Sequence, residues 1–247
     1  MPQVRASQRG KVGSVFYVYL YEAIGSGMIV FALNFIPFEK TNAVHNGMVH
    51  LAMAQAFAFA IILFGEVSGG HFNPAITVAM LFVRSKNEVK EGRPLTANLL
   101  RAFLMIFSQI IGGFIGAFLS LTMFPLDFSH FLTARWAITT YVPFTVDEAR
   151  VRGGKELDLN NKWFWRAAYV EILLTFVFVM LYIQIWKKNG ANYHLLNALM
   201  SGLGLFFTSY IAIGISGGCL NPMIALVQSP FALAYANILD VINADAY

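Results

Sequence analysis

A stretch of seven residues, Ser68-Gly69-Gly70-His71-Phe72-Asn73-Pro74, returns 148 residues later as Ser216-Gly217-Gly218-Cys219-Leu220-Asn221-Pro222. The chain around both copies is 57% hydrophobic and only 12% charged, whereas a soluble domain carries charge at roughly a quarter of its positions. That balance points to a membrane protein. Two polar, helix-breaking copies in such a chain need a structural reason, and that reason constrains the fold.

A helix needs about 20 apolar residues to cross a bilayer core. Five runs approach that length, about Val15 to Ile36, Met48 to Phe64, Ala102 to Phe124, Ala167 to Trp186 and Leu195 to Ile215. The second must borrow Gly65 or its polar flanks. The first motif leads into Asn73 to Val83, which is apolar but about half the crossing length. It suits a re-entrant half-helix, because Asn is a favoured N-cap, Pro is favoured at the first helical position and Gly-Gly lets backbones approach closely. Such a start inside a membrane is tolerated only where protein or a water-filled cavity meets it.

A second landmark keeps the same register. Glu22 lies early in the first run, within YEAIGSGMIVF, and Glu171 holds the matching place in VEILLTFVFVM, 149 residues on. Intramembrane acids are costly and must find donors. The predicted donors are backbone amides of the nearby non-helical loops, with Ser68 and Ser216 bracing those loops. Three crossings between the two acids turn the second copy upside down, so the expected fold is all-α and integral to the membrane, an inverted repeat of three helices plus a half-helix. The first repeat takes residues 1–124, a connection rich in both charge signs takes 125–162, and the second repeat takes 163–247. Inversion brings both half-helix starts to the midplane. Their positive ends and Asn amides can then pass a neutral, oxygen-bearing molecule while repelling cations and protons.

These residues resemble the aquaporin, or major intrinsic protein, family: the box Asn73-Pro74-Ala75, the variant box Asn221-Pro222-Met223, and the helix glutamates Glu22 and Glu171. The similarity runs to about Gln228. It implies six helices and two half-helices around one pore, usually in a homotetramer, and a channel for water or small neutral solutes. Gly112 and Gly116 form a small-xxx-small pair compatible with the close crossings required. The resemblance also places an outer constriction at Met53, Ser209, Gly218 and Ile224. Ile224 stands where the family normally has arginine, so this filter has neither its cation barrier nor its donor pair. Ala225 stands where glycerol-conducting members usually carry aspartate. Met223, larger than the usual alanine, is expected to intrude on the pore or repack its neighbours. After Pro230 only FALAYANILDVINADAY remains, which predicts a short or incomplete sixth helix.

These departures keep a second reading in view, a transport-inactive, aquaporin-like subunit whose incomplete flank is covered by other subunits of a membrane complex. An enzyme is not expected, because no nucleophile with a paired base accompanies the repeats. No cofactor or metal is expected either: His71 is matched by Cys219 rather than by a second ligand, and reads as loop packing. The lone cysteine permits no internal disulfide. Basic residues lie in short segments rather than in an aromatic-interleaved patch, which argues against nucleic acid. Ten of the 17, among them Arg5, Arg9, Lys11, Arg84, Arg101, Lys187 and Lys188, fall on one side if the N-terminus is inside. The basic first eleven residues lead into no signal-peptide core. They leave open whether the membrane is the plasma membrane or an organelle's, such as the mitochondrion's.

Overall fold

The computed structural model describes residues 12–34, 43–90, 92, 94–122, 161–189, 194–213 and 215–228. The basic N-terminal segment, residues 125–160 of the expected connection and the tail after Gln228 lie outside the described residues, and residues 161–162 of that connection already belong to a helix. Six helices run in chain order, α1 (Val12–Asn34), α2 (Ala43–Ser68), α3 (Pro74–Lys90), α4 (Leu95–Thr122), α5 (Asn161–Asn189) and α6 (His194–Ala212). A short α7 covers 222–228. Five of them, α1, α2, α4, α5 and α6, contain stretches long and apolar enough to span a bilayer, the second over Gly47–Ser68. The chain is an all-α integral membrane protein. The half-helix is longer than its apolar part: Pro74–Arg84 is the apolar portion, and α3 continues to Lys90.

Helix α4 shows why these sequences pack as they do. Its buried positions, Asn98, Ala102, Met105, Gln109, Gly112, Gly113, Gly116, Ala117 and Ser120, recur three or four residues apart, which makes one helical stripe. Apart from Met105, that stripe is small or polar. The opposite stripe, Phe103, Phe107, Phe114 and Phe118, is exposed. This reverses the soluble pattern, because a side chain facing lipid gains nothing by hiding, whereas small residues let helix backbones meet.

The α1 and α4 backbones come so close that a Cβ on Gly112 would collide with the Ala23 carbonyl oxygen, and one on Gly116 with that of Gly27. In return, a Cβ on Gly27 would lie 2.7 Å from the Gly112 oxygen. The α2 and α6 crossing repeats the device: a Cβ on Gly202 would lie 2.8 Å from the Ala54 oxygen. Helices α1, α2 and α4 pack around one loop, α5 and α6 beside the other, and the α2/α6 and α3/α5 contacts join the two groups. Asn34 ties a third corner, donating from Nδ2 to Ser120 Oγ (2.8 Å) and accepting from Gln228 Nε2 (2.8 Å).

Candidate functional site

Helix α2 ends at Ser68 because the next two residues, Gly69 and Gly70, adopt φ of +103° and +69°, which glycine reaches without steric penalty. Two residues on, Phe72 also adopts positive φ, +45°. The second loop repeats the path, with Gly217 at +85°, Gly218 at +67° and Leu220 at +47°. A positive φ on a bulky residue stores strain and persists only where its surroundings enforce it.

A carboxylate enforces it in each loop. Glu22 is fully buried; its Oε1 accepts from His71 N (3.0 Å), and its Oε2 from Phe72 N (2.8 Å) and Gln109 Nε2 (2.7 Å). In the second loop, Glu171 Oε1 accepts from Ser216 Oγ and Cys219 N (3.1 Å), and Oε2 from Leu220 N (2.9 Å). Ser68 and Ser216 each accept from an amide two residues ahead, Gly70 N (3.0 Å) and Gly218 N (3.3 Å). Tyr182 adds its hydroxyl to the first loop, within 3.2 Å of the carbonyl oxygens of Gly69 and Gly70.

The loops deliver two asparagines head to head. Asn73 caps α3, its Oδ1 accepting from Ala75 N (2.8 Å), and donates from Nδ2 to Leu220 O (2.9 Å). Asn221 caps α7 in the same way, accepting from Met223 N (3.1 Å) and donating to Phe72 O (3.0 Å). Each asparagine thus caps its own half-helix and holds the strained residue of the other loop. Both helix N-termini, with their partial positive charge, converge on this junction, and each amide has a second N–H to offer. Pro74 is buried, Ala75 half-buried and Pro222 exposed.

Met223 turns its sulfur toward α4: a Cβ on Gly113 would lie 2.6 Å from Met223 Sδ. The extra volume is taken up in a glycine notch. Ser209 and Gly218 are in contact, since a Cβ on Gly218 would strike the Ser209 carbonyl oxygen. Ser209 Oγ donates back along its own helix to Phe206 O (3.1 Å). Met53 and Ile224 belong to one buried apolar cluster with Leu220 and Met223. Met53 and Ser209 are 0% exposed and Ile224 1%, so water-sized surface is all but absent at these three side chains.

Sequence reasoning missed three participants. His50 comes against Gly218, its Cε1 3.1 Å from a Cβ built there, and its buried Nδ1 has no partner. Its signal was position, because it precedes Met53 by three residues and shares that helix face. Gln109 closes the Glu22 cluster; a lone amide within LMIFSQIIGG calls for a buried partner. Thr77 links His71 Nδ1 (3.2 Å), Gln109 Nε2 (3.0 Å) and Asn73 O (3.1 Å). Among the described residues no group of three or more His, Cys, Asp or Glu is arranged to hold a metal.

The family model for Major intrinsic protein matches residues 11–183 and 158–247. The chain belongs to this family. Among characterised members of the major intrinsic protein family it is similar to "Glycerol uptake facilitator protein-like 6" of Lactiplantibacillus plantarum, 29% identical over 218 residues, which cover 87% of this chain and 83% of the relative. It is 27% identical to "Aquaporin-8" of Rattus norvegicus over 206 residues, 81% of this chain and 65% of that one. With human "Aquaporin-5" it shares 28% over 178 residues, 70% and 54% of the two chains.

Proposed function

We propose that the chain is a passive membrane channel for water or small neutral solutes, with an uncharged outer constriction at Met53, Ser209, Gly218 and Ile224. The observation that carries this reading is the reciprocal cap, in which Asn73 donates to Leu220 O and Asn221 to Phe72 O. Two positive helix ends meeting in a low-dielectric centre repel protons and cations, while the remaining amide N–H groups offer hydrogen bonds to a passing oxygen. Similarity to an aquaporin and to a glycerol uptake facilitator supports the solute class. Without an arginine, the outer filter discriminates by size and polarity rather than charge. The two repeats divide near 125–162, the N-terminus is inside, and the assembly is a homotetramer in the family manner.

The test is stopped-flow light scattering on proteoliposomes. Channel activity gives faster osmotic shrinkage than empty liposomes, and a glycerol or urea gradient reports the solutes. Rates equal to those of empty liposomes for every osmolyte refute the reading.

One observation favours a second reading, a transport-inactive subunit of a larger membrane complex. Met53 and Ser209 are 0% and Ile224 1% exposed, which supports a closed, uncharged constriction, and hydrophobic constrictions gate by dewetting. This reading requires stoichiometric co-purification with other membrane proteins. A stable free tetramer that conducts excludes it.

A further inference from the structure

A non-helical loop inside a membrane leaves carbonyl oxygens that helix geometry no longer satisfies, and each must meet protein or water. In the first loop the hydroxyl of Tyr182 donates to both Gly69 O and Gly70 O, each 3.2 Å away. The second loop repeats the backbone but not the donor: among the described residues, neither Gly217 O nor Gly218 O has a hydrogen-bond partner. Glu22 and Glu171 stand 149 residues apart, and the residue 149 positions before Tyr182 is Leu33, an apolar side chain at 1% exposure. Tyr182 therefore breaks the two-fold repeat. The protein itself occupies one loop's carbonyls and leaves the other's unclaimed.

The ring of Tyr182 is held in place. Its centroid lies 6.4 Å from that of Phe57 on α2 and 5.9 Å from that of Trp186 on its own helix, while Phe57 meets Phe178 edge-on at 5.8 Å. All four side chains are at most 5% exposed, so aromatic rings fill the space between α2 of the first repeat and α5 of the second. Beside them lies a cavity of about 70 Å3, lined by Gly65, Ser68, Gly69, Met80, Tyr182 and Trp186 among others. At roughly 10–15 Å3 per water-sized position, it admits about five to seven waters. Gly65 follows Met53 by twelve residues on α2, roughly 18 Å at about 1.5 Å per residue. The cavity thus stands at the opposite end of the proposed path from the outer constriction.

We infer that Tyr182 is an inner barrier of the channel, a residue that competes with the permeant for the carbonyl oxygens of Gly69 and Gly70; this rests on the channel reading above. A water molecule entering a narrow apolar bore gives up hydrogen bonds, and it passes only where the wall offers replacements. Gly69 O and Gly70 O are such replacements, and Tyr182 holds both with one proton. At 3.2 Å its bonds are long for O–H···O, where about 2.7–2.8 Å is usual, so water can displace the shared hydroxyl. The ring is the stronger obstacle, because Phe57 and Trp186 pack on it. The hydroxyl sets the rate for water, and the ring sets the size of solute admitted.

The test is stopped-flow light scattering on proteoliposomes of the full chain in a Met53→Ala background, which relieves the outer constriction so that an inner barrier limits the rate. Tyr182→Phe frees both carbonyls and keeps the ring. Water flux should rise about 2–10-fold over Met53→Ala alone, the worth of one hydrogen bond, with glycerol flux unchanged. Tyr182→Leu installs the side chain that the matching position of α1 carries, and should raise water and glycerol flux together. A hydroxyl that only braced the loop predicts a different result for Tyr182→Phe, a lower unfolding temperature with no faster flux. Water no faster in Tyr182→Phe, or glycerol no faster in Tyr182→Leu, than in the Met53→Ala protein overturns the inference and leaves the channel reading standing. Flux equal to that of empty liposomes in every variant overturns both. If Tyr182→Leu does not fold, Tyr182→Phe decides alone, since it removes one oxygen atom and keeps the ring packing.

Discussion

Replacing Glu171 by glutamine isolates what a loop-bracing acid does. The carboxylate holds Cys219 N and Ser216 Oγ on one oxygen and Leu220 N on the other. Glutamine has the same shape but one oxygen, so one side of the pair must face an N–H with an N–H. Ser216 can rotate its hydroxyl to adapt, but a backbone amide cannot. The loss is therefore one hydrogen bond to a charged acceptor, about 1.5–3 kcal/mol. Glu171 is half-buried, which places the effect toward the lower end of that range. The loop it braces carries Cys219, the single cysteine of the chain and 5% exposed. Labelling by a maleimide dye under native conditions then reports local opening of this loop, provided reclosing outpaces reaction. At 1.4 kcal/mol per factor of ten, about 1.5–2 kcal/mol corresponds to labelling roughly 10–30-fold faster. A rate within twofold of the native chain would show that Leu220 and Cys219 keep their backbone without the acid, and the bracing role would be wrong.

Other perturbations give different signatures. Glu22→Gln should destabilise more than Glu171→Gln, because Glu22 is fully buried; glutamine keeps its one oxygen toward Phe72 N and Gln109 Nε2 and loses the bond to His71 N, about 1.5–3 kcal/mol with no solvent to reduce it, and a melting temperature no lower than that of Glu171→Gln contradicts it. Asn73→Ala removes both an N-cap and the tie to Leu220 O, a loss of about 2 kcal/mol that should appear as a lower unfolding temperature, and an unchanged one refutes the reciprocal-cap argument. Gly112→Val places a side chain against the Ala23 carbonyl, where overpacking costs about 3 kcal/mol or more; monodisperse protein at native yield would show that α1 and α4 can separate. Met53→Ala removes the longest side chain of the proposed constriction. Proteoliposomes carrying it should shrink several-fold faster than those carrying the native chain, and equal rates would place the barrier elsewhere.

Much of the architecture was legible because bilayer physics writes it into sequence. The five apolar runs forecast helices that contain membrane-length stretches, since a bilayer core demands length and apolarity whatever the partners are. Boundaries were less legible. The second apolar run begins at about Met48, yet α2 begins at Ala43 and reaches Ser68, because helix persists through polar flanks until a glycine with positive φ stops it. The half-helix likewise outran its apolar part, extending to Lys90. At the site, the pairing of Glu22 with Phe72 N and of Glu171 with Leu220 N sits in the repeat register. His50 does not repeat in that register, and only packing brings it and Gln109 in.

The sequence by itself determined the membrane class, the places where the two half-helices begin and the two-fold register, because N-caps, proline at the first helical position and glycine in left-handed backbone are local physics. The tertiary structure decided where side chains point once helices cross. It turned Met223 into the Gly113 notch, set His50 against Gly218, and joined Asn98 and Arg101 of α4 with His71 of the loop around one cavity. None of these follows from spacing along the chain, because each depends on how closely two backbones approach, and that distance is set by glycines on separate helices meeting face to face.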